Sequence, residues 1–166
     1  YRVGTDVVPT FKLYRNDPNG QVAEGVKFIS DSLKAITNYP LQHIENGKNK
    51  NANTQKRFKR LTRIFRRLRY KMIGDNVPIN DNITSFLLEC LVYNIPDEIF
   101  NNNHTWTDRL RAAIVYLYGE TKKESENCKD WGEVSELLYL FYQGRKWSIE
   151  DVNEYLIDMW QYLEFD

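Results

Sequence analysis

An amphipathic, strongly basic segment constrains this chain more than any other feature. Between residues 55 and 73, apolar side chains recur at steps of three and four, at Phe58, Leu61, Phe65, Leu68 and Met72. This spacing predicts an α-helix with one apolar face. At about 100° per residue, the opposite face carries Lys56, Arg60, Arg63 and Arg67. The helix therefore packs by one side and presents cations on the other.

Charge is unevenly distributed, although the net charge is zero. Residues 46–74 contain 11 Lys or Arg and no acid, whereas residues 120–166 contain 12 acids and 5 bases. Such asymmetry indicates a basic face for phosphates or nucleic acid beside an acidic helical region. The alternative is a solvated polar face on each helix.

The start of the chain predicts a β-hairpin. Residues 3–14 and 22–29 are typical of strands, and residues 17–20 (DPNG) have the composition of a turn. Residues 31–38 predict a short helix that ends before Pro40. The polar, Asn-rich segment that follows at 45–54 predicts a loop.

The remaining sequence predicts four more helices. Two of them begin at capping-box patterns, in which an acid stands three residues after the first position. The predicted helices are 82–94, 107–118, one that starts at Asp130 with Glu133, and one that starts at Ser148 with Asp151. The expected fold class is α+β and mostly helical, with a small antiparallel sheet element followed by a helical bundle.

Composition excludes several classes of protein. No apolar run approaches the roughly 20 residues that a membrane-spanning helix needs. Two cysteines, Cys90 and Cys128, fit a reducing cytoplasm better than a disulfide scaffold. The two His and two Cys are too widely spaced for a zinc pattern. We expect a cytoplasmic protein with no membrane partner.

Asp6 is the most unusual residue of the first strand. In the segment GTDVVPTF, residues 4–11, it stands directly before an apolar run. An ionised carboxylate buried there needs a partner, and that partner is often a metal ion. The alternative is a strand-end Asp6 that caps a turn or faces water.

Three segments together carry a resemblance to a known family. They are DVVPTF at the start, NYPLQHIENGKNKNANTQKRFKRLTRIFRRLR at 38–69, and SFLLECLVYNIP at 85–96. The first resembles the third-carboxylate strand of polymerase-beta-like nucleotidyltransferases. In this order and spacing the three resemble the bacterial cyclic-oligonucleotide synthases, the CD-NTases of antiphage defence. The resemblance covers residues 3–163 and is strongest over 38–96.

The resemblance implies a metal-dependent nucleotidyltransferase. In the family, three carboxylates bind two Mg²⁺ ions that bridge the NTP and the attacking hydroxyl. Asp6 matches the third carboxylate, as a metal ligand and catalytic base. The other two come from an Asp-x-Asp pair after a Gly-Ser turn, and no Asp-x-Asp pair lies between Tyr1 and Asp31.

The same resemblance implies that the chain is the C-terminal part of an enzyme. Residues 1–30 would end the palm sheet, and residues 31–166 would form the C-terminal helical domain with its long basic helix over 55–73. The missing N-terminal half is then the expected partner, and this fragment alone should be inactive. The parent enzyme would make a cyclic di- or trinucleotide from NTPs.

Substrate-binding residues follow from the same family pattern. A helix cation contacts the donor triphosphate, and Arg66 stands where the family usually has Lys; Lys59 and Arg63 are the next candidates. A polar–aromatic pair binds phosphate and stacks on the donor base, and Ser85-Phe86 matches it. The alternatives are a solvated helix face for the cations, a helix cap for Ser85 and a core position for Phe86.

Other functions compete with this interpretation. A nucleic-acid-binding helical module would use the basic segment 46–74, and its affinity would fall steeply with salt. A protein-interaction bundle would bind neither NTP nor polynucleotide. A tRNA nucleotidyltransferase is the rival within the enzyme class. His43 and Trp147 are assigned structural positions in the helical domain.

Overall fold

The fold is a small sheet followed by a helical domain. The computed structural model describes residues 8–17, 19–30, 33–125, 127–142 and 144–165. Within these residues, three β-strands come first, and six α-helices and one short 3₁₀ turn follow. The predicted class, α+β and mostly helical, is confirmed.

The sheet is antiparallel and its strands lie in chain order. The strands are β1 (Phe11–Asn16), β2 (Val22–Ile29) and β3 (Ala35–Asn38). At the β1–β2 turn, Gly20 has a φ of 80°, which favours glycine, and its N–H donates to Asp17 O at 2.9 Å. The predicted hairpin is therefore confirmed within the described residues.

The helix predicted over residues 31–38 is wrong. Ala35–Asn38 form strand β3, which pairs with β2 so that Ile36 lies opposite Phe28. Residues 31 and 32 lie outside the described ranges. The edge of β2 supplies backbone partners that a short isolated helix lacks, and β-branched Ile36 and Thr37 suit a strand. The sheet thus continues past residue 30. The predicted boundary between the two domains at that residue stays a prediction.

The loop predicted over residues 45–54 is also wrong. Helix α1 runs from Pro40 to Asn53. Its Asn46 side chain donates to Val134 O at 3.0 Å, and Lys50 forms an ion pair with Asp97 at 2.7 Å. These contacts with distant segments stabilise a helix that its own Asn-rich sequence does not favour.

The long basic helix is confirmed as α2 (Arg57–Gly74). It begins after a sharp break, because Gln55 and Lys56 have positive φ values of 51° and 64°. The buried face of α2 consists of Phe58, Leu61, Thr62, Phe65 and Met72. The apolar stripe of the sequence is therefore the face that packs into the core.

Four more helices complete the domain: α3 (Ser85–Tyr93), α4 (Asp97–Asn102), α5 (Trp106–Glu120) and α6 (Ile149–Tyr162). The capping box at Ser148 and Asp151 is present, with both reciprocal hydrogen bonds. The helix predicted from Asp130 is wrong, since only the 3₁₀ turn Asn127–Asp130 forms there. The carboxylate expected to cap that helix, Glu133, instead contacts Arg145.

One core joins these helices. Its fully buried side chains come mainly from α2, α3, α5 and α6, among them Phe58, Phe65, Leu88, Leu117 and Leu156. In the described part of the chain, no helix combines the length and apolarity needed to cross a bilayer.

Candidate functional site

The predicted substrate-binding residues lie on one flank of α2 and at the start of α3. Lys59 and Arg63 are exposed on α2. Neither side chain forms a hydrogen bond or an ion pair with another described residue. Two uncompensated positive charges therefore face solvent one helical turn apart.

Arg66 is one turn further along α2 and is held by α3. Its Nε donates to Ser85 O at 3.2 Å, and its Nη2 donates to Glu89 Oε2 at 2.5 Å. The side chain is 35% exposed, and Nη1 makes no hydrogen bond within the described ranges. One edge of the guanidinium is therefore fixed, and the other is open to a ligand.

Ser85 is the first residue of α3, but it is not the cap. The cap is Thr84, whose side-chain oxygen accepts from Leu87 N at 3.2 Å. The Ser85 hydroxyl makes no hydrogen bond with the described part of the chain. This excludes the N-cap interpretation and leaves the hydroxyl available beside the first N–H groups of a helix, where anions are favoured.

Phe86 is partly buried against the core and also borders a cavity. Its ring centroid lies 5.9 Å from that of His43, with the planes 26° apart, and 6.2 Å from that of Trp147. The cavity measures about 400 Å³. Its other lining residues include Asn38, Tyr39, Ser135 and Arg145. An aromatic wall with polar groups around it suits a flat, polar ligand.

A charged pair lies behind Trp147 in this cavity wall. Arg145 contacts the buried carboxylate of Glu133, and its guanidinium lies 5.2 Å from the Trp147 ring. Burial lowers the pKa of Arg145 from its ordinary value. The Trp147 indole donates to Leu140 O at 3.1 Å. Trp147 is thereby held on two sides.

Glu89 lies between Arg66 of α2 and His43 of α1. Its Oε1 is 3.7 Å from His43 Nε2, and its Oε2 accepts from Arg66. His43, followed by Arg66, holds the pKa of this half-buried carboxyl below its ordinary value of 4.5. Arg66 is the closer partner, so its charge is largely compensated, unlike the charges of Lys59 and Arg63.

The sequence analysis missed Glu89, His43 and Trp147 as members of this site. They lie on α3, on α1 and in the segment before α6, and no local pattern links them. The segment at 38–69 includes His43, but nothing in it predicts the contact with Phe86.

Asp6 lies outside the described residues, so its predicted metal-binding role is untested by the structure. Within the described ranges, no group of three His, Cys, Asp or Glu side chains could hold a metal ion.

The sequence of the helical domain matches a known family. Residues 45–164 match the model of the cGAS/DncV-like nucleotidyltransferase C-terminal helical domain. The chain is 59% identical over 165 residues to the cyclic dipyrimidine nucleotide synthase CdnE of Cecembia lonarensis. That alignment covers 99% of this chain and 56% of the relative.

Two solved structures share the fold. The CdnE cyclic dinucleotide synthase of Elizabethkingia meningoseptica with GTP and Apcpp has a TM-score of 0.86 and 35% identity, covering 96% of this chain and 58% of that one. The CdnE c-UMP-AMP synthase of Rhodothermus marinus with Apcpp and Upnpp has a TM-score of 0.80 and 27% identity, covering 94% and 53%. The chain therefore spans about half the length of the relatives it matches.

Proposed function

Because the chain belongs to the cGAS/DncV-like nucleotidyltransferases, we propose that it is the C-terminal half of an enzyme that joins NTPs into a cyclic dinucleotide. The observation that carries the proposal is the junction of α2 and α3. There Arg66 Nε donates to Ser85 O, the Ser85 hydroxyl has no hydrogen-bond partner among the described residues, and the ring of the next residue, Phe86, stacks on His43.

In this proposal the junction binds the donor nucleotide. The Ser85 hydroxyl and Arg66 Nη1 contact the triphosphate, and Lys59 and Arg63 add uncompensated positive charge. The Phe86 ring stacks on the base at the mouth of the cavity. Relatives of this fold have been solved with NTP analogues, which supports an NTP as the ligand.

In this proposal the catalytic carboxylates come from outside the junction of α2 and α3. Asp6 is proposed as a ligand of two Mg²⁺ ions and as the base for the attacking hydroxyl. The other carboxylates would come from the N-terminal half. Two such ions stabilise the entering and leaving oxygens of phosphoryl transfer. One carboxylate cannot do this alone, so the fragment by itself should be inactive.

The exposed side chains of the sheet support a missing partner. Phe11, Tyr14, Val22 and Ile29 are 57–69% exposed. The strand register places Tyr14 and Val22 on one face of the sheet, and Phe11 and Ile29 on the other. Exposed apolar groups of this kind mark contact surfaces. We assign the face that carries Tyr14 and Val22 to the N-terminal half of the same enzyme.

The product and its setting are further parts of the proposal. The Cecembia relative is a dipyrimidine synthase, so UTP and CTP are the first substrates to test, followed by ATP and GTP. We expect the product to act as a second messenger in antiphage defence within the cytoplasm. Cys90 and Cys128 are free and buried, as suits a reducing compartment.

The test is nucleotide turnover by the intact protein that contains this chain. Labelled NTPs and Mg²⁺ are incubated with the wild type, Asp6→Ala and Phe86→Ala, and products are separated by chromatography. We expect cyclic product from the wild type, none from Asp6→Ala, and a raised KM for Phe86→Ala. Phe165→Ala is the matched control, since it removes a ring that does not line the cavity.

Two outcomes would overturn the proposal. Full activity of Asp6→Ala would return Asp6 to a structural role. No turnover, together with polynucleotide binding that weakens steeply with salt, would instead favour the nucleic-acid-binding module on the exposed basic face of α2.

A further inference from the structure

We propose that Glu89 is a positioning residue that couples the phosphate side of the donor site to its base side. This inference rests on the proposed function. Glu89 lies one helical turn after Ser85 on α3 and is 23% exposed. Its two carboxylate oxygens have different partners on different helices, His43 of α1 and Arg66 of α2.

The first partner orients the phosphate-binding cation. An Arg side chain has several rotatable bonds, and ordering them costs entropy. The short contact of Nη2 with Glu89, together with that of Nε with Ser85 O, fixes the plane of the Arg66 guanidinium. Since the guanidinium is a planar fork, fixing two nitrogens also determines the direction of Nη1, the free donor.

The second partner orients the base-binding ring. His43 Nε2 lies 3.7 Å from Glu89, and the His43 imidazole stacks on Phe86. Holding the imidazole keeps it against the Phe86 ring, which borders the cavity. Glu89 therefore reaches the base through His43 and Phe86, without touching the base itself.

The sign of the charge separates positioning from binding. A carboxylate beside a triphosphate repels it, so a Glu in this place cannot contribute binding energy directly. Glu89 also compensates the charge of Arg66, which leaves Lys59 and Arg63 as the main electrostatic attraction. The benefit of Glu89 must therefore be geometric.

The experiment measures phosphate and base binding separately in the intact protein. The probes are inorganic tripolyphosphate and the tightest-binding of four non-hydrolysable NTP analogues, each with Mg²⁺. The dissociation constant of tripolyphosphate divided by that of the NTP analogue reports the part of the affinity that the base supplies. Glu89→Ala should lower this ratio about tenfold, a typical size for residues coupled through contact.

Double variants test whether Glu89 acts through His43 and Arg66. We expect His43→Ala to lower the ratio as Glu89→Ala does, and the double variant to lose no more than either alone. For tripolyphosphate, Arg66→Gln should have a different effect in the Glu89→Ala background than in the wild type, because Arg66 has there lost the contact that orients it. Additive effects in both pairs would overturn the inference, because Glu89 would then act independently of His43 and Arg66.

Further variants keep the test independent of folding. Glu89→Gln retains the size of the side chain and should lower kcat while leaving tripolyphosphate affinity equal or higher, since a repelling charge is gone. Glu45→Gln, an exposed carboxylate on α1, should change nothing. Unchanged kcat and ratio in both Glu89 variants would overturn the inference, whereas a wild type that binds neither probe would overturn the proposed function itself.

Discussion

Large apolar side chains form a buried core in the helical domain but are exposed on the sheet. Phe58 and Phe65 of α2 are completely buried, whereas Phe11 of β1 is 69% exposed and Tyr14 is 57% exposed. The helical domain thus closes its own core, and the sheet does not. The sheet therefore keeps apolar surface that the described residues leave exposed, whereas the helical domain does not depend on another segment to bury Phe58 and Phe65.

The described residues cover one face of the sheet. The Tyr39 ring packs directly against Gly25, where an added Cβ would lie 2.8 Å from it, and Arg15 contacts Leu137 O. Gly25 and Arg15 lie on the same face of the sheet because side chains alternate along a strand. The other face carries Tyr14 and Val22, which no described residue covers, and it is the surface we assign to the N-terminal half.

The largest expected effect contrasts the two Phe environments. Phe65→Ala should lower the free energy of unfolding by about 3–5 kcal/mol, since it leaves a cavity in a closed core. Phe11→Ala should lower it by less than about 0.5 kcal/mol in this chain alone. Urea denaturation of both variants measures the difference. Equal losses would show that the sheet is as well packed as the helices.

Buried polar contacts should show the same contrast. Arg109 is 3% exposed, and its Nε donates to Phe100 O at 2.8 Å. Arg109→Met should destabilise the chain by about 2–3 kcal/mol, because buried carbonyls lose their donor. Lys12→Met, which breaks the exposed Lys12–Glu24 ion pair of the sheet, should leave the unfolding midpoint unchanged. A comparable shift in both variants would show that the sheet's exposed ion pair matters as much as the buried contacts of the helical domain.

Local helix signals should matter less than core packing. Ser148→Ala removes the side-chain oxygen that accepts from Asp151 N at the start of α6, and we expect a loss of about 1 kcal/mol. Ser148→Thr should retain most of the stability, because it keeps a capping hydroxyl. Thermal unfolding followed by circular dichroism compares the two variants, and an unaffected Ser148→Ala would mean that tertiary contacts alone hold α6.

The smallest expected effect depends on pH. The folded pKa of Glu89 lies below its ordinary value of 4.5. Its charged form therefore adds stability above pH 4.5, and this contribution is lost as the pH falls through the folded pKa. The difference in unfolding free energy between wild type and Glu89→Gln should be largest near neutral pH and should disappear in acid. A difference that widens in acid would contradict this sign.

Local patterns were enough to predict α2, the β1–β2 hairpin and the capped start of α6. Each is encoded by residues within one or two turns of one another, as in the stripe that includes Phe58 and Phe65. The family resemblance and the pair Ser85-Phe86 were also visible, because these motifs are contiguous in sequence.

Tertiary structure alone determined α1, β3 and the contacts that join His43, Arg66 and Glu89. The Asn-rich helix depends on contacts such as that between Asn46 and Val134 O, which are 88 residues apart. Likewise, Glu89 joins His43 and Arg66 only because α1, α2 and α3 pack together. Periodicity records which face of a segment is apolar, but it carries no information about which distant segment that face will meet.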